Sequence, residues 1–158
     1  MINIQICPIK GLYQILQRED GKGCAAIISS ASDINAAKLK GLCHVFRQYE
    51  DLDYECPGRA FSEEDAAAFA DFLKGLDGIH TLYCCCDAGE SRSPAVAAAV
   101  LRYLGKDDMP IWRDPHYHPN MLVFSMLTEA LAVPASDEEK DLRLYTNQKA
   151  FRNAIGGQ

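Results

Sequence analysis

Hydrophobic residues fall along this chain in short clusters whose spacing switches between strand and helix periods. Residues 2–6, Ile-Asn-Ile-Gln-Ile, alternate apolar and polar, as a half-buried strand does, and suit the edge of a sheet. Pro8 is placed to open a short helix running through Leu16, and the polar residues 17–23 follow as a turn. The apolar run 24–28 has strand length; residues 29–33 then read as a loop and 34–40 as a short helix. Residues 42–49, centred on Val45 and Phe46, predict the next strand. The acidic stretch 50–60 contains Pro57-Gly58 and reads as a loop.

Ser62-Glu-Glu-Asp65 then supplies a capping hydroxyl and three carboxylates for the positive end of a helix dipole. Phe69, Phe72, Leu73 and Leu76 recur on one face of that helix, and Gly75 and Gly78 lie near its end. Residues 79–86 form an apolar strand, and the nearly unbroken Ala, Val and Leu of residues 95–104 form a buried helix. Gly105 and Pro110 mark a break. Residues 120–132 and 136–155 read as helices, with Met121, Phe124 and Met126 as core, before a frayed tail at 156–158. Strands alternating with helices predict an α/β fold, a mainly parallel central sheet flanked by helices.

Composition narrows the class without naming a chemistry. The chain's 158 residues suit a single domain spanning 1–158, and 48% hydrophobic with 24% charged residues is ordinary for a globular protein. No apolar run is long enough to span a bilayer, and Met1-Ile-Asn-Ile lacks the basic start of a secretory signal. Seven cysteines, three of them consecutive, are no disulfide framework, so a reducing cytoplasm is expected. A net charge of −6 argues against nucleic acid or an anionic membrane as partner.

The chemistry concentrates in Tyr83-Cys-Cys-Cys86-Asp-Ala-Gly-Glu-Ser-Arg92-Ser93-Pro94, the connector between the strand ending at residue 86 and the alanine-rich helix. A strand that feeds a helix through a short loop aims several backbone N–H groups at one point, which is an anion site. Cys86 stands at its floor and Arg92 on its wall. A thiol acts as a nucleophile only as the thiolate, and inward N–H groups, a helix N-terminus and a guanidinium all stabilise an anion there. Arg92 can clamp two phosphoryl oxygens at once, as a lysine cannot. The plainer reading of Arg92, a surface arginine paired with Glu90 or Asp87, suits the mouth of such a loop poorly. Gly89 permits positive φ or close backbone approach. Ser93 is placed either to donate a hydrogen bond to the Cys86 sulfur or to cap the helix.

Cys86-Asp-Ala-Gly89-Glu-Ser-Arg92-Ser93 resembles the signature loop of the cysteine-dependent protein tyrosine phosphatases, Cys-x5-Arg-Ser/Thr, and within them the dual-specificity-like branch. The weaker resemblance covers residues 42–132. It implies a phosphomonoester hydrolase without cofactor that works through a cysteinyl-phosphate intermediate. Cys86, Arg92 and Ser93 would be catalytic, with Asp87, Ala88, Gly89, Glu90, Ser91 and Arg92 around the phosphate. The resemblance also places a general-acid aspartate on the loop after the preceding strand. Asp51, 35 residues before Cys86 and just past that strand, is preferred, with Asp53 as the alternative; Asp114, beside Pro115, is a more distant third. The family usually has histidine just before the nucleophile, where this chain has Cys85. Strand alternation puts Cys84 on the side of Cys86 and Cys85 on the other.

Asp87 and Glu90 stand where phosphoinositide-directed relatives carry lysines, which favours a phosphorylated protein or a small aryl phosphate as substrate. Oligomeric state stays open. The alternative is a weakly active or inactive module of the same fold that binds phosphate or a phosphopeptide, a reading favoured by Cys85. Rhodanese-like sulfur transfer uses a loop one residue shorter. No metal is expected: His116 and His118, beside Asp114 and Pro119, have no cysteine pair near them in sequence and suit a helix entry better.

Overall fold

The alternation of strands and helices becomes a four-stranded, all-parallel sheet with strand order β1-β4-β2-β3. The computed structural model describes residues 2–156, so Met1, Gly157 and Gln158, including most of the expected tail, lie outside the described residues. In chain order the elements are β1 (Asn3–Pro8), α1 (Ile9–Arg18), β2 (Cys24–Ser30), a 3-10 turn (Ala36–Leu39), β3 (Cys43–Gln48) and α2 (Glu63–Lys74). They continue with β4 (Thr81–Cys86), α3 (Arg92–Tyr103), α4 (Met109–Arg113), α5 (Met121–Ala130) and α6 (Asp137–Gly156).

β1 lies at a sheet edge, as its alternation predicts: Asn3 and Gln5 are exposed while Ile4 and Ile6 are half-buried. β4 pairs with β1 on one side and β2 on the other, and every one of its residues is buried. Its alternation divides the core. Leu82 and Cys84 join Phe69, Val96, Val100, Trp112 and Phe124 beneath α2, α3 and α5, whereas Tyr83 and Cys85 join Leu12, Leu16, Ile28 and Leu39 beneath α1. Burying each large apolar side chain stabilises the fold by about 1.5–3 kcal/mol. Ala95 and Ala97–Ala99 of α3 are fully buried, so their small side chains let the helix lie close on β4.

Several boundaries differ from expectation: β2 runs on through Ser30, where a loop was expected from residue 29, and β4 starts at Thr81 rather than at residue 79. β1 runs on through Pro8, which becomes the extended N-cap of α1 rather than its first helical residue. The helix expected at 95–104 begins earlier, at Arg92, so Arg92, Ser93 and Pro94 form its first turn. Residues 109–113 form α4, where only a break was expected; Pro110 lies in its first turn, where a missing N–H costs nothing. Ser62 caps α2 in a full capping box, its hydroxyl accepting from the Asp65 N–H while Asp65 accepts from the Ser62 N–H. Arg47 then donates to the buried Asp65 at 2.6 Å, fastening β3 to the start of α2.

α6 is mostly polar and docks through ion pairs and hydrogen bonds. Arg143 meets the buried Asp108 at 2.7 Å, and Asn147 donates to the backbone carbonyls of Trp112 and Tyr117. Arg102 reaches from α3 to Glu139 at 2.8 Å. Among the described residues no helix is long and apolar enough to cross a membrane.

Candidate active site

β4 ends at Cys86 and α3 begins at Arg92, so the loop between them sits at the carboxyl edge of the sheet, over its central strand pair. In open parallel sheets this edge is where ligands bind. Cys86 is 2% exposed, and its sulfur is turned into the loop, receiving a hydrogen bond from the Gly89 N–H at 3.2 Å. The Ser93 hydroxyl, in the first turn of α3, lies 3.1 Å from the same sulfur. Gly89 is the residue that allows this turn. Its φ is +72°, and a Cβ there would lie 2.9 Å from the Pro8 nitrogen and 3.0 Å from the Cys7 carbonyl carbon. The loop therefore rests directly on the end of β1.

Arg92 is buried, 8% exposed, yet its guanidinium is not fully engaged. Nη1 donates to the Tyr49 carbonyl and Nη2 to Asp87 Oδ2, each at 2.9 Å. Nε is buried without a partner among the described residues. A buried donor left unpaired costs about 1–3 kcal/mol. An oxyanion in the loop would satisfy it, with the second Nη2 hydrogen beside it on the planar fork. The Tyr49 ring lies 5.9 Å from the guanidinium carbon, and the Tyr49 hydroxyl donates to Ser29 at 2.7 Å. Burial raises the Tyr49 phenol well above its usual range, so it stays neutral.

The two surface partners weighed for Arg92 divide. Asp87 does pair with it, but as a loop carboxylate that steadies a buried cation; Asp87 Oδ1 in turn accepts from Ser30 at the end of β2 at 2.8 Å. Glu90 is exposed, its carbonyl accepting from the His118 N–H at 2.7 Å. Ala88 is exposed at the loop's rim.

Asp51 lies against the loop. Its Oδ1 accepts from the Ser91 hydroxyl and from the Asn120 side-chain amide, each at 2.8 Å. Both bonds fall on one oxygen, and Oδ2 has no hydrogen-bond partner among the described residues. Asp53 is exposed and makes no such link to the loop among the described residues, and Asp114 turns instead to His116, with its Oδ1 3.0 Å from His116 Nδ1. His118 stacks edge-on against Phe151, with ring centroids 5.0 Å apart. Among the described residues no three His, Cys, Asp or Glu side chains are grouped to hold a metal.

Asn120 was legible only as the start of a helix. It caps α5 through the Val123 N–H, donates to Asp51 and to the Leu52 carbonyl, and its own N–H donates to the Ser91 carbonyl. The Pro119-Asn120 pair ahead of an apolar run signals a cap, but nothing local shows that the same amide reaches Asp51. Cys85, in the place where the resembled family has histidine, faces away from the loop toward Cys7, with the sulfurs 3.4 Å apart. Burial raises the Cys84 thiol far above its usual range on the opposite face.

No protein-family model matches the chain, and no curated protein matches it in sequence. Comparison with solved structures finds likenesses of fold. PTPMT1, crystallised in complex with PI(5)P, superposes with a TM-score of 0.53 at 16% identity over 87% of this chain and 90% of that one. Human DUSP28 gives 0.47 at 17% identity over 98% and 95%, and Tk-PTP in its active form 0.45 at 13% over 94% and 91%. The fold is that of the cysteine-dependent protein tyrosine phosphatases.

Proposed function

We propose that the protein is a phosphomonoester hydrolase of the protein tyrosine or dual-specificity type, acting on a phosphorylated protein or a small aryl phosphate. The observation that carries this reading is the buried Nε of Arg92, unpartnered among the described residues, together with the inward-facing Cys86 sulfur. A nucleophile and an unsatisfied cationic donor share one oxyanion-sized loop, and a phosphoryl group answers both.

In this mechanism the Cys86 thiolate attacks phosphorus, a sulfur–phosphorus bond forms and the ester phosphorus–oxygen bond breaks. Asp51 gives its proton to the leaving oxygen, a step worth about 10²–10⁴-fold. Arg92 holds the equatorial oxygens where charge is greatest. Water then attacks phosphorus while Asp51 takes up its proton, and phosphate leaves as the sulfur–phosphorus bond breaks. The Ser93 hydroxyl and the Gly89 N–H receive the returning thiolate. Asp51, Asp87 and Glu90 make the surroundings of the loop acidic, which favours substrates bearing a single phosphate.

A second reading, a phosphate- or phosphopeptide-binding module with little turnover, is favoured by Cys85, which gives the loop no imidazole support. Hydrolysis of p-nitrophenyl phosphate separates the two. The enzyme reading expects turnover by the parent protein and none by Cys86→Ser, which still binds phosphate. Binding without turnover by the parent favours the module.

A further inference from the structure

Cys7 and Cys85 stand opposite one another in the β1–β4 register, both beneath α1, on the face of the sheet away from Cys84. Their sulfurs are 3.4 Å apart. The phosphatase mechanism uses neither. We propose that Cys7 and Cys85 form a peroxide-responsive dithiol, which closes to a disulfide under the phosphate loop and weakens the loop's hold on an oxyanion. The first half of this proposal stands on the thiol geometry; the second rests on the phosphate site proposed above.

The backbone already meets the requirements of a disulfide. Neighbouring strands run about 4.8 Å apart, within the roughly 4.4–6.8 Å that bridged Cα atoms span, and register partners project to the same face. The sulfurs need only close to about 2.0 Å. The thiols also differ in a way that assigns their roles. Cys7, on an edge strand, is half-buried, and its hydrogen bond with Cys85 lowers its thiol below the usual value against the opposing effect of burial. The same hydrogen bond, followed by burial, pushes fully enclosed Cys85 well up. Cys7 is also the more accessible of the two, so it is the attacking sulfur and the buried Cys85 the one that resolves. The Cys7 thiolate attacks a peroxide oxygen, the oxygen–oxygen bond breaks, and a sulfenic acid forms while the released hydroxide takes up the proton that Cys7 gave up and leaves as water. Cys85 then displaces hydroxide from that sulfur, its thiol proton leaving in a second water. Two thiols are oxidised by two electrons and one peroxide is reduced.

The bond would act on the site because both cysteines adjoin it. Cys85 directly precedes Cys86, and Cys7 directly precedes Pro8, whose backbone lies so close to Gly89 that a Cβ there would meet it. Gly89 in turn donates to the Cys86 sulfur. Drawing Cys7 toward β4 shifts the surface on which Gly89 rests, and a close-packed interior passes that shift to the loop.

The test uses the full chain carrying Cys86→Ser, which removes oxidation of the nucleophile itself. Phosphate affinity is measured by calorimetry when reduced, after hydrogen peroxide, and after dithiothreitol, with non-reducing peptide mass spectrometry at each stage. A Cys7–Cys85 cross-link, a fall in affinity of about fivefold and recovery with dithiothreitol are expected. Adding Cys7→Ser, or Cys7→Ala as a second variant, should abolish both the cross-link and the fall. Absence of the cross-link overturns the dithiol, and a cross-link with unchanged affinity overturns its coupling to the loop. If the reduced Cys86→Ser protein binds no phosphate, the phosphate-site reading fails and the coupling with it, while mass spectrometry still decides whether the dithiol exists.

Discussion

The side-chain amide of Asn120 donates to Asp51 Oδ1 at 2.8 Å, joining two residues 69 positions apart. The same residue caps α5 and binds the backbone carbonyls of Leu52 and Ser91, so three segments meet at one residue.

Asp51→Asn should therefore make turnover depend steeply on the leaving group. Phenyl phosphate should slow by about 10²-fold or more while esters of acidic phenols slow little, because only a basic leaving oxygen needs a proton. Asn120→Ala should move the protein part of the way in the same direction, and should also lose about 1 kcal/mol of stability with the helix cap. Rates across a series of substituted phenyl phosphates, with urea unfolding of the same variants, check both effects. If Asp53→Asn alone gains leaving-group dependence, the acid is Asp53.

Asp87→Asn should tighten phosphate binding. The asparagine oxygen can still accept from Arg92 Nη2, and its amide can still meet Ser30, so the geometry is kept while a negative charge is removed. The Asp87 side chain is 51% exposed, so the charge effect follows water-like screening. Unit charges about 4 Å apart then repel by about 1 kcal/mol, and affinity should rise about fivefold. Inhibition by phosphate or vanadate is the measurement, and unchanged inhibition would show that the carboxylate does nothing beyond holding Arg92.

Gly89→Ala should abolish turnover. A side chain at φ +72° is strained, and its Cβ would press on the backbone of Cys7 and Pro8. The loss should appear as failure to bind phosphate, accompanied by destabilisation of about 1–3 kcal/mol. Calorimetric phosphate titration and thermal unfolding report the two separately.

Acid should release α6 before it dissolves the sheet. Burial alone would raise the Asp108 carboxyl, but hydrogen bonds from Arg143 and Trp112, together with the Arg143 charge, hold it below the usual range. Hydrogen bonds from Arg102 and the Ser136 N–H hold Glu139 down at about 2. A carboxyl depressed in the folded state adds stability in full above its unfolded value, near ~4, and loses it as pH falls through the folded value. As pH falls from about 4 toward 2 the Glu139 attachment should therefore weaken, and the Asp108 attachment gives way below the usual carboxylate range, leaving α6 held by the Asn147 hydrogen bonds. Amide exchange should show α6 opening in that window ahead of β4, and Glu139→Gln should flatten the pH dependence.

Much of this was legible because it is local. Cys86, Gly89, Arg92 and Ser93 fall within eight consecutive residues, and a strand followed by a small-residue turn and an alanine-rich helix can hold them in few ways. Asp51 was placed by its position just past β3. The residues that escaped notice act across the fold. The Tyr49 carbonyl carries no side-chain signature, the Ser30–Asp87 bond needs β2 beside β4, and Asn120 reads only as a cap. The facing of Cys7 and Cys85 depends on strand register, which no local pattern records. α4 was missed because Gly105 and Pro110 looked like punctuation, although proline belongs naturally in a first turn.

The order β1-β4-β2-β3 also governs how the chain is born. Of the first three strands, only β2 and β3 are partners; β1 pairs solely with β4, and Cys7 waits 78 residues for Cys85. A chain leaving the ribosome can thus assemble no more than one strand pair until β4 emerges. Long-range parallel pairing of this kind makes sheet assembly slow, because loop closure must precede the contacts that reward it. The strand that completes the sheet is the one that carries Cys86. A nascent chain stalled ahead of it would leave β1 exposed with nothing to pair against, a natural target for chaperones and proteases.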